Sequence, residues 1–301
     1  MAKVITVFGA TGNQGKAVAM ALKHDGNFAV RAVTRDVYHP KIIELKSNGV
    51  DVFQCDLDDV ESIRGPLNGA YGCFVVTYTD FADPNAMERE IQVGKNIADA
   101  CVAAQIQHVV YSTQLHTARI SGITARHMVA KAEIEDYLKE KNLTLTCLLV
   151  PCYYEHFLDF FKPQKVDTNT FEIVLPMGNT SLDLLHVGDM GHVVCAVLKD
   201  KNRYLSKTIS MSGCKLTIKE IAAFLSRGLA PLRFGYKQVT LNQYGQLGSP
   251  WSKDFANMFD FILRVDQKYN VIATREIHPT LKSFNEWVCQ NEAEIRTALC
   301  S

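Results

Sequence analysis

A chain of 301 residues can bury one substantial core, as a single domain or as one with a smaller companion. Its 32 basic and 32 acidic residues cancel, which excludes nucleic acid or an anionic membrane as a partner held by bulk charge. No apolar run is long enough to span a bilayer, and an apolar strand follows directly on Met-Ala-Lys, so no signal or transit peptide is expected.

Val4, Ile5, Val7 and Phe8 form an apolar run, broken by Thr6, that predicts a fully buried strand. Gly9, Ala10, Thr11, Gly12, Asn13, Gln14 and Gly15 follow at once, and residues 16–23 have helical spacing. A strand passing through such glycines into a helix is the context of a dinucleotide fingerprint. Gly9 suits the tight turn, Gly12 admits a pyrophosphate to the backbone, and Gly15 allows close helix packing. The helix N-terminus offers N–H groups and partial positive charge to the phosphates. The spacing is GxxGxxG, and the competing reading is a glycine turn without a ligand.

Residues 28–34 predict a second strand, 41–48 a helix, 51–55 a third strand and 60–67 a helix. A fourth strand spans 72–77, followed by a polar loop and a long helix over 86–104. Strand 108–112, helix 126–141 and strand 144–150 complete the alternation, which ends at Pro151. Near-continuous apolar strands alternating with helices predict a parallel sheet covered on both faces. The fold class is therefore α/β, a Rossmann-type doubly wound parallel sheet with a smaller C-terminal α/β cap. Beyond Pro151 short strands (171–175, 182–186, 208–211) mix with helices (189–198, 218–225, 255–264, 283–292). Residues 1–151 are expected to form the nucleotide-binding domain. Residues 152–301 are expected to be mostly a cap over the sheet's mouth, supplying the substrate side, with late strands returning to the sheet.

Nine cysteines occur without a CxxC pair, a pattern of reduced thiols in a reducing, cytoplasmic compartment. Cys73, Cys101, Cys147 and Cys195 fall in apolar segments; Cys55, Cys152, Cys214 and Cys300 are the more exposed candidates. His186 and Asp189 suggest no metal site; Asp189 is expected to cap the helix after it. The aromatic group Tyr153, Tyr154, Phe157, Phe160 and Phe161 can line a pocket for a flat ligand or simply pack.

The second strand ends Val33-Thr34-Arg35, with no carboxylate before Asp36. A guanidinium there can pair with a 2′-phosphate that a carboxylate would repel, which favours NADP(H) over NAD(H). Lys41 can add charge; the plainer reading makes Arg35 a solvated turn residue. His127 and Lys131, four apart, share one helix face, and Tyr111, Ser112 and Thr113 end the strand before it. Short-chain dehydrogenases carry a Ser or Thr at that strand end and Tyr-x-x-x-Lys on that helix. Their phenol is the general acid, and the lysine binds ribose and lowers the phenol's pKa. Here the lysine and the hydroxyls are present, and His127 stands where the tyrosine would be. Imidazolium can donate a proton near neutral pH; the bland alternative is a helix-surface histidine.

The runs VFGATGNQG, VTRD, FVVT, HMVAK, PCYYEHFL and FANMF together resemble the NmrA-like family, an atypical branch of the short-chain dehydrogenase superfamily. The resemblance spans nearly the whole chain and is greatest to the animal NmrA-like domain-containing redox sensors, which also carry His for Tyr. It implies cofactor contacts from Gly9 to Gln14, from Arg35, Asp36, Val37, Tyr38 and His39, and from Asp56 and Leu57 on the adenine side. It further implies contacts from Thr77, Tyr78 and Thr79, with Lys131, Tyr153, Tyr154, Glu155 and His156 meeting the nicotinamide half. Gln92 departs from the pattern, standing where the subgroup has a lysine. By this resemblance the protein is an NADP(H)-binding redox sensor with a regulatory, transcriptional or signalling protein partner. Cytoplasm and nucleus are both implied, and a homodimer is left open. The alternative is an NADPH-dependent oxidoreductase of quinones or related carbonyls, with Lys131, His127 and Ser112 as catalytic residues.

Overall fold

The structure is a computed structural model that describes residues 2–300. The first part of the chain runs β1 (Lys3–Val7), α1 (Asn13–Asp25), β2 (Phe28–Thr34), α2 (Pro40–Ser47), β3 (Asp51–Gln54) and α3 (Val60–Leu67). It continues with β4 (Gly72–Val75), α4 (Ala86–Ala103), β5 (His108–Thr113), α5 (Thr117–Ser121), α6 (Arg126–Glu140) and β6 (Leu145–Leu149). Next come β7 (Cys152–Tyr153), a 3₁₀ turn (Tyr154–Leu158), β8 (Gln164–Asp167), β9 (Thr170–Leu175), β10 (Leu182–Leu185), α7 (Val187–Lys199) and α8 (Lys201–Tyr204). The remainder is β11 (Thr208–Ser210), β12 (Cys214–Leu216), α9 (Ile218–Gly228), β13 (Arg233–Gln238) and five helices. These are α10 (Leu241–Gly245), α11 (Ser252–Arg264), α12 (Val271–Ile277), α13 (Phe284–Gln290) and α14 (Glu292–Cys300).

Seven strands form the main sheet in the order β11-β6-β5-β4-β1-β2-β3. Every pairing among β1 to β6 is parallel, as the apolar strands predict. Ile5, Val7 and Phe8 are fully buried. Thr6 interrupts their run without leaving an unpaired hydroxyl, because Oγ1 donates to the Pro66 carbonyl at 2.7 Å. One core cluster, including Ile63, Ile97, Val109, Tyr111 and Ile134, joins β5 to α3, α4 and α6. α6 lies so close to α4 that a Cβ on Gly94 would overlap the Ile134 side chain. α7 meets α1 backbone to backbone at Gly191, where a Cβ would overlap the Ala17 carbonyl.

The chain divides into two compact units. The first holds the residues up to His116, Arg126–Leu149 and Val187–Ile209; the second holds Thr117–Ala125, Val150–His186 and the chain from Ser210 onward. The second unit contains two three-stranded sheets, β12-β10-β7 and β13-β9-β8. Its aromatic residues pack on one another: Tyr154 meets Phe284 edge-on at 5.1 Å, and Phe157, Phe161 and Trp287 are buried around them. The group thus forms an aromatic core, with Phe160 lying against Trp251 and Phe255 at its edge.

Two expectations are corrected. α7 starts at Val187, so Asp189 is a buried residue of its first turn and does not precede the helix as a cap. Cys55 is buried, its Sγ 3.3 Å from Ser62 Oγ, because it follows β3 into the core and not into solvent. Cys152 and Cys214 are half-buried, and the exposed thiols are Cys289 and Cys300. Among the described residues no helix is long and apolar enough to cross a membrane.

Candidate functional site

From β1 the chain builds β2 and β3 to one side, then returns to lay β4, β5 and β6 on the other. The order therefore reverses between β1 and β4, and loops leaving the two strands diverge at the carboxyl edge. The glycine loop occupies that point. Gly9 has φ +67°, the left-handed region, and a Cβ on it would lie 2.7 Å from Val76 Cγ1. The Gly12 N–H donates to the Gly9 carbonyl at 2.9 Å and closes the turn. A Cβ on Gly15 would overlap that same carbonyl, so helix and strand meet only because Gly15 has none. α1 begins at Asn13, and no side chain caps its N-terminus. Gln14 Oε1 is buried there without a hydrogen-bond partner. Unclaimed N–H groups and a bare backbone fit a nucleotide pyrophosphate, while the buried Gln14 oxygen is an acceptor that suits a hydroxyl or amide N–H.

Beyond β2, Thr34 Oγ1 accepts from the Asp36 N–H at 3.1 Å, and Asp36 Oδ1 accepts from the Tyr38 N–H at 2.8 Å. The Asp36 carboxylate is turned onto its own loop, while Arg35 and Tyr38 are exposed. His39 caps α2 by accepting from the Lys41 N–H at 3.2 Å; Val37 is half-buried. Lys41 Nζ donates to Asn13 Oδ1 at 2.9 Å and ties the start of α2 to the glycine loop. After β3, the Leu57 carbonyl accepts from Asn96 Nδ2 at 3.0 Å, and Gln92 Nε2 donates to Asn96 Oδ1 at 2.9 Å. Gln92 therefore steadies the Asp56–Leu57 turn through an amide relay.

The loop after β4 meets β5 and α6 through a residue the motif reading passed over. Glu90, 2% exposed, accepts from Thr77 Oγ1 at 2.6 Å and from Thr79 Oγ1 at 2.5 Å. Lys131 Nζ donates to the same carboxylate at 2.6 Å and to Thr79 Oγ1 at 3.2 Å. Tyr78, between the two threonines, points outward and is exposed. A signal for Glu90 was present: Ala86, Glu90, Gly94, Ile97 and Cys101 share the buried face of α4, and one is a carboxylate. Asn96, also buried, carried no such signal.

Tyr111 lies beside Lys131 but cannot replace the missing tyrosine. Its ring is fully buried and its hydroxyl donates to the Lys131 carbonyl at 3.0 Å. Burial, with the Glu90 charge adding, pushes its phenol well above the usual range. Ser112 Oγ is buried with no hydrogen-bond partner, a second orphaned group at the strand ends. Thr113 Oγ1 donates to Glu135 at 2.6 Å. His127 is half-buried, edge-on to Phe81 with ring centres 5.7 Å apart.

In the second unit, the Tyr153 N–H donates to His156 Nδ1 at 3.2 Å and Tyr154 OH donates to the Lys282 carbonyl at 3.0 Å. Glu155 pairs with His186 Nδ1 at 2.6 Å. The strand ends of the first unit thus gather Gly9 to Gly15, the Arg35 and Asp56 turns, Thr77 to Thr79, Ser112 and Lys131. The Tyr153 to His156 run forms its own network within the second unit.

The sequence pattern of the NmrA-like family matches residues 1–288. An NmrA-like family domain-containing oxidoreductase of Aspergillus flavus, lnbB, is 34% identical over 74% of this chain and 72% of its own length. An NmrA-like family domain-containing protein of Dictyostelium discoideum is 25% identical over 82% of this chain and 83% of its own. The solved structure of NmrA, a negative transcriptional regulator, in complex with NADP aligns at TM-score 0.83. It is 20% identical, covering 98% of this chain and 97% of that one, a likeness of fold. With the family pattern reaching from the first strand to α13, this chain belongs to the NmrA-like family.

Proposed function

We propose that this chain is an NADP(H)-binding redox sensor whose altered short-chain dehydrogenase site serves binding and not turnover. The observation that carries the reading is the site's polar bookkeeping. The glycine cradle leaves room for a phosphate against the backbone and the Gln14 and Ser112 oxygens are buried without partners, while the tyrosine beside Lys131 is locked on a backbone carbonyl. Arg35 pairs with the 2′-phosphate, the α1 N-terminus takes the pyrophosphate, and Lys131 takes the nicotinamide ribose. NmrA, called a negative transcriptional regulator and solved with NADP, supports a regulatory role; a protein partner and a place in cytoplasm or nucleus are part of the proposal. A sensor must bind NADP(H) with different affinity in two conformations, since equal affinity shifts nothing.

NADPH titration followed by fluorescence, with sedimentation in parallel, tests this directly. NADPH is expected to bind and to change the shape or association of the protein; an unchanged sedimentation profile at saturation would end the sensor reading. Losing the charge-assisted pair in Arg35→Ser should weaken NADPH about tenfold to hundredfold and leave NADH nearly unchanged.

The oxidoreductase lnbB, 34% identical, favours a second reading: an NADPH-dependent reductase of quinones or related carbonyls. NADPH would supply the hydride, Lys131 would hold the ribose, and His127 and Ser112 would face the acceptor oxygen. NADPH consumption with a panel of quinones, aldehydes and ketones, lost in Lys131→Ala, would replace the sensor by the enzyme.

A further inference from the structure

Glu90 is a carboxylate placed where the fold would accept an apolar residue. It sits on the buried stripe of α4, one turn before Gly94, and its side chain is fully buried. Burying a carboxylate is costly unless donors surround it, and a buried ion pair seldom adds stability over an apolar packing of equal volume. Here three donors converge on it: two hydroxyls from the loop after β4 and the Lys131 ammonium from α6. The Lys131 side chain is itself only 12% exposed. It has three N–H bonds in a tetrahedral fan, and Glu90 and Thr79 accept two of them. Two fixed acceptors define where the third N–H points.

We infer that Glu90 is the positioning residue of the nucleotide site, acting on NADP(H) through Lys131. The inference rests on the proposal that the first unit binds NADP(H). Without the carboxylate the lysine stem regains its rotamers, and ordering it again opposes binding. Thr77 and Thr79 complete the device by holding the carboxylate in place. A lysine pinned this way acts as an aimed donor, which explains a buried acid beside a residue whose partner tyrosine is gone.

A double-mutant cycle tests the route of action, with circular dichroism as the check on folding. NADPH affinity is expected to fall about tenfold or more in Glu90→Gln when Lys131 is present, and about twofold or less when Lys131→Met is already made. Glu90→Asp, which keeps the charge, is expected to recover more than half of that loss on a logarithmic scale. Without nucleotide, Glu90→Gln should melt about 6 °C or more below the Glu90→Gln/Lys131→Met protein, which has no orphaned charge. Equal losses of affinity in both backgrounds, or no loss in Glu90→Gln, would overturn the inference and leave Glu90 a tie between helix and loop. If Glu90→Gln fails to fold, the cycle runs with Glu90→Asp, whose smaller loss must likewise vanish in Lys131→Met. A wild-type protein that binds no NADPH overturns the underlying proposal, and is recognised before any variant is compared.

Discussion

His108 opens β5 with its ring wholly buried and Nε2 2.9 Å from Thr146 Oγ1. Thr146 spends its own proton on the Tyr204 carbonyl at 2.9 Å, so the imidazole must donate from Nε2. Nδ1 is left bare, without a partner among the described residues. Protonating it would strand a charge in the core; burial first, then the Lys201 and Lys3 charges, pull the pKa from 6.5 to about 4. The unfolded chain takes up this proton near pH 6.5 and the folded chain near 4, so stability is complete above 6.5 and falls as pH drops. The loss amounts to about 3 kcal/mol and stops once both states are protonated. Urea midpoints at pH 7 and pH 4.5 should therefore fall further for wild type than for His108→Leu; equal falls would clear His108. The thiols give a second test. Burial pushes Cys152 and Cys195 up to about 12 and Cys214 to about 11, and thiolate is the reactive form. Alkylation at pH 8, read by mass spectrometry, is expected to mark Cys289 and Cys300 first and the other thiols only in urea. At this scale residue type was legible in the sequence and pairing was not. Lys131 was named from its spacing to His127, but its partner Glu90 lies 41 positions away, on a helix named only as a helix.

Helices that touch through glycine bring elements together more closely than their patterns suggest. At Gly94 a methyl group would overlap the Ile134 side chain, so Gly94→Ala should cost about 1–3 kcal/mol in urea unfolding. Trimming the neighbour relieves the overlap, and Gly94→Ala with Ile134→Ala should cost less than the sum of the single changes. An additive result would mean that α4 and α6 are not held by this contact. Gly191 differs, because its added Cβ would meet the Ala17 carbonyl, which no substitution can trim. The strands and helices up to residue 150 were legible to within a few residues, since each carries its own apolar period. α5, and beyond residue 150 the short elements α8, α10, β8 and β12, were not, because three to five residues hold too few periods to read.

At the scale of the whole molecule, a ligand that binds only the folded chain stabilises it by mass action. NADPH at a hundred times its Kd should add about 2.7 kcal/mol and raise the melting temperature by several degrees. NADH at the same concentration should add less, because Arg35 gains nothing from a ribose without its phosphate. Equal shifts would remove the argument for NADP(H) selectivity. The doubly wound sheet, the glycine turn at its first crossing and the absence of a tyrosine four before Lys131 were all decided by the sequence alone. These depend on local period, on residues without Cβ and on spacing along one helix, which a linear chain displays directly. Only the tertiary structure decided that α7 packs on α1, that Tyr111 is spent on a backbone carbonyl, and that Glu90 holds Lys131. Those contacts join residues far apart in the chain, and their energy comes from burial and donor geometry that exist only once the chain has closed on itself.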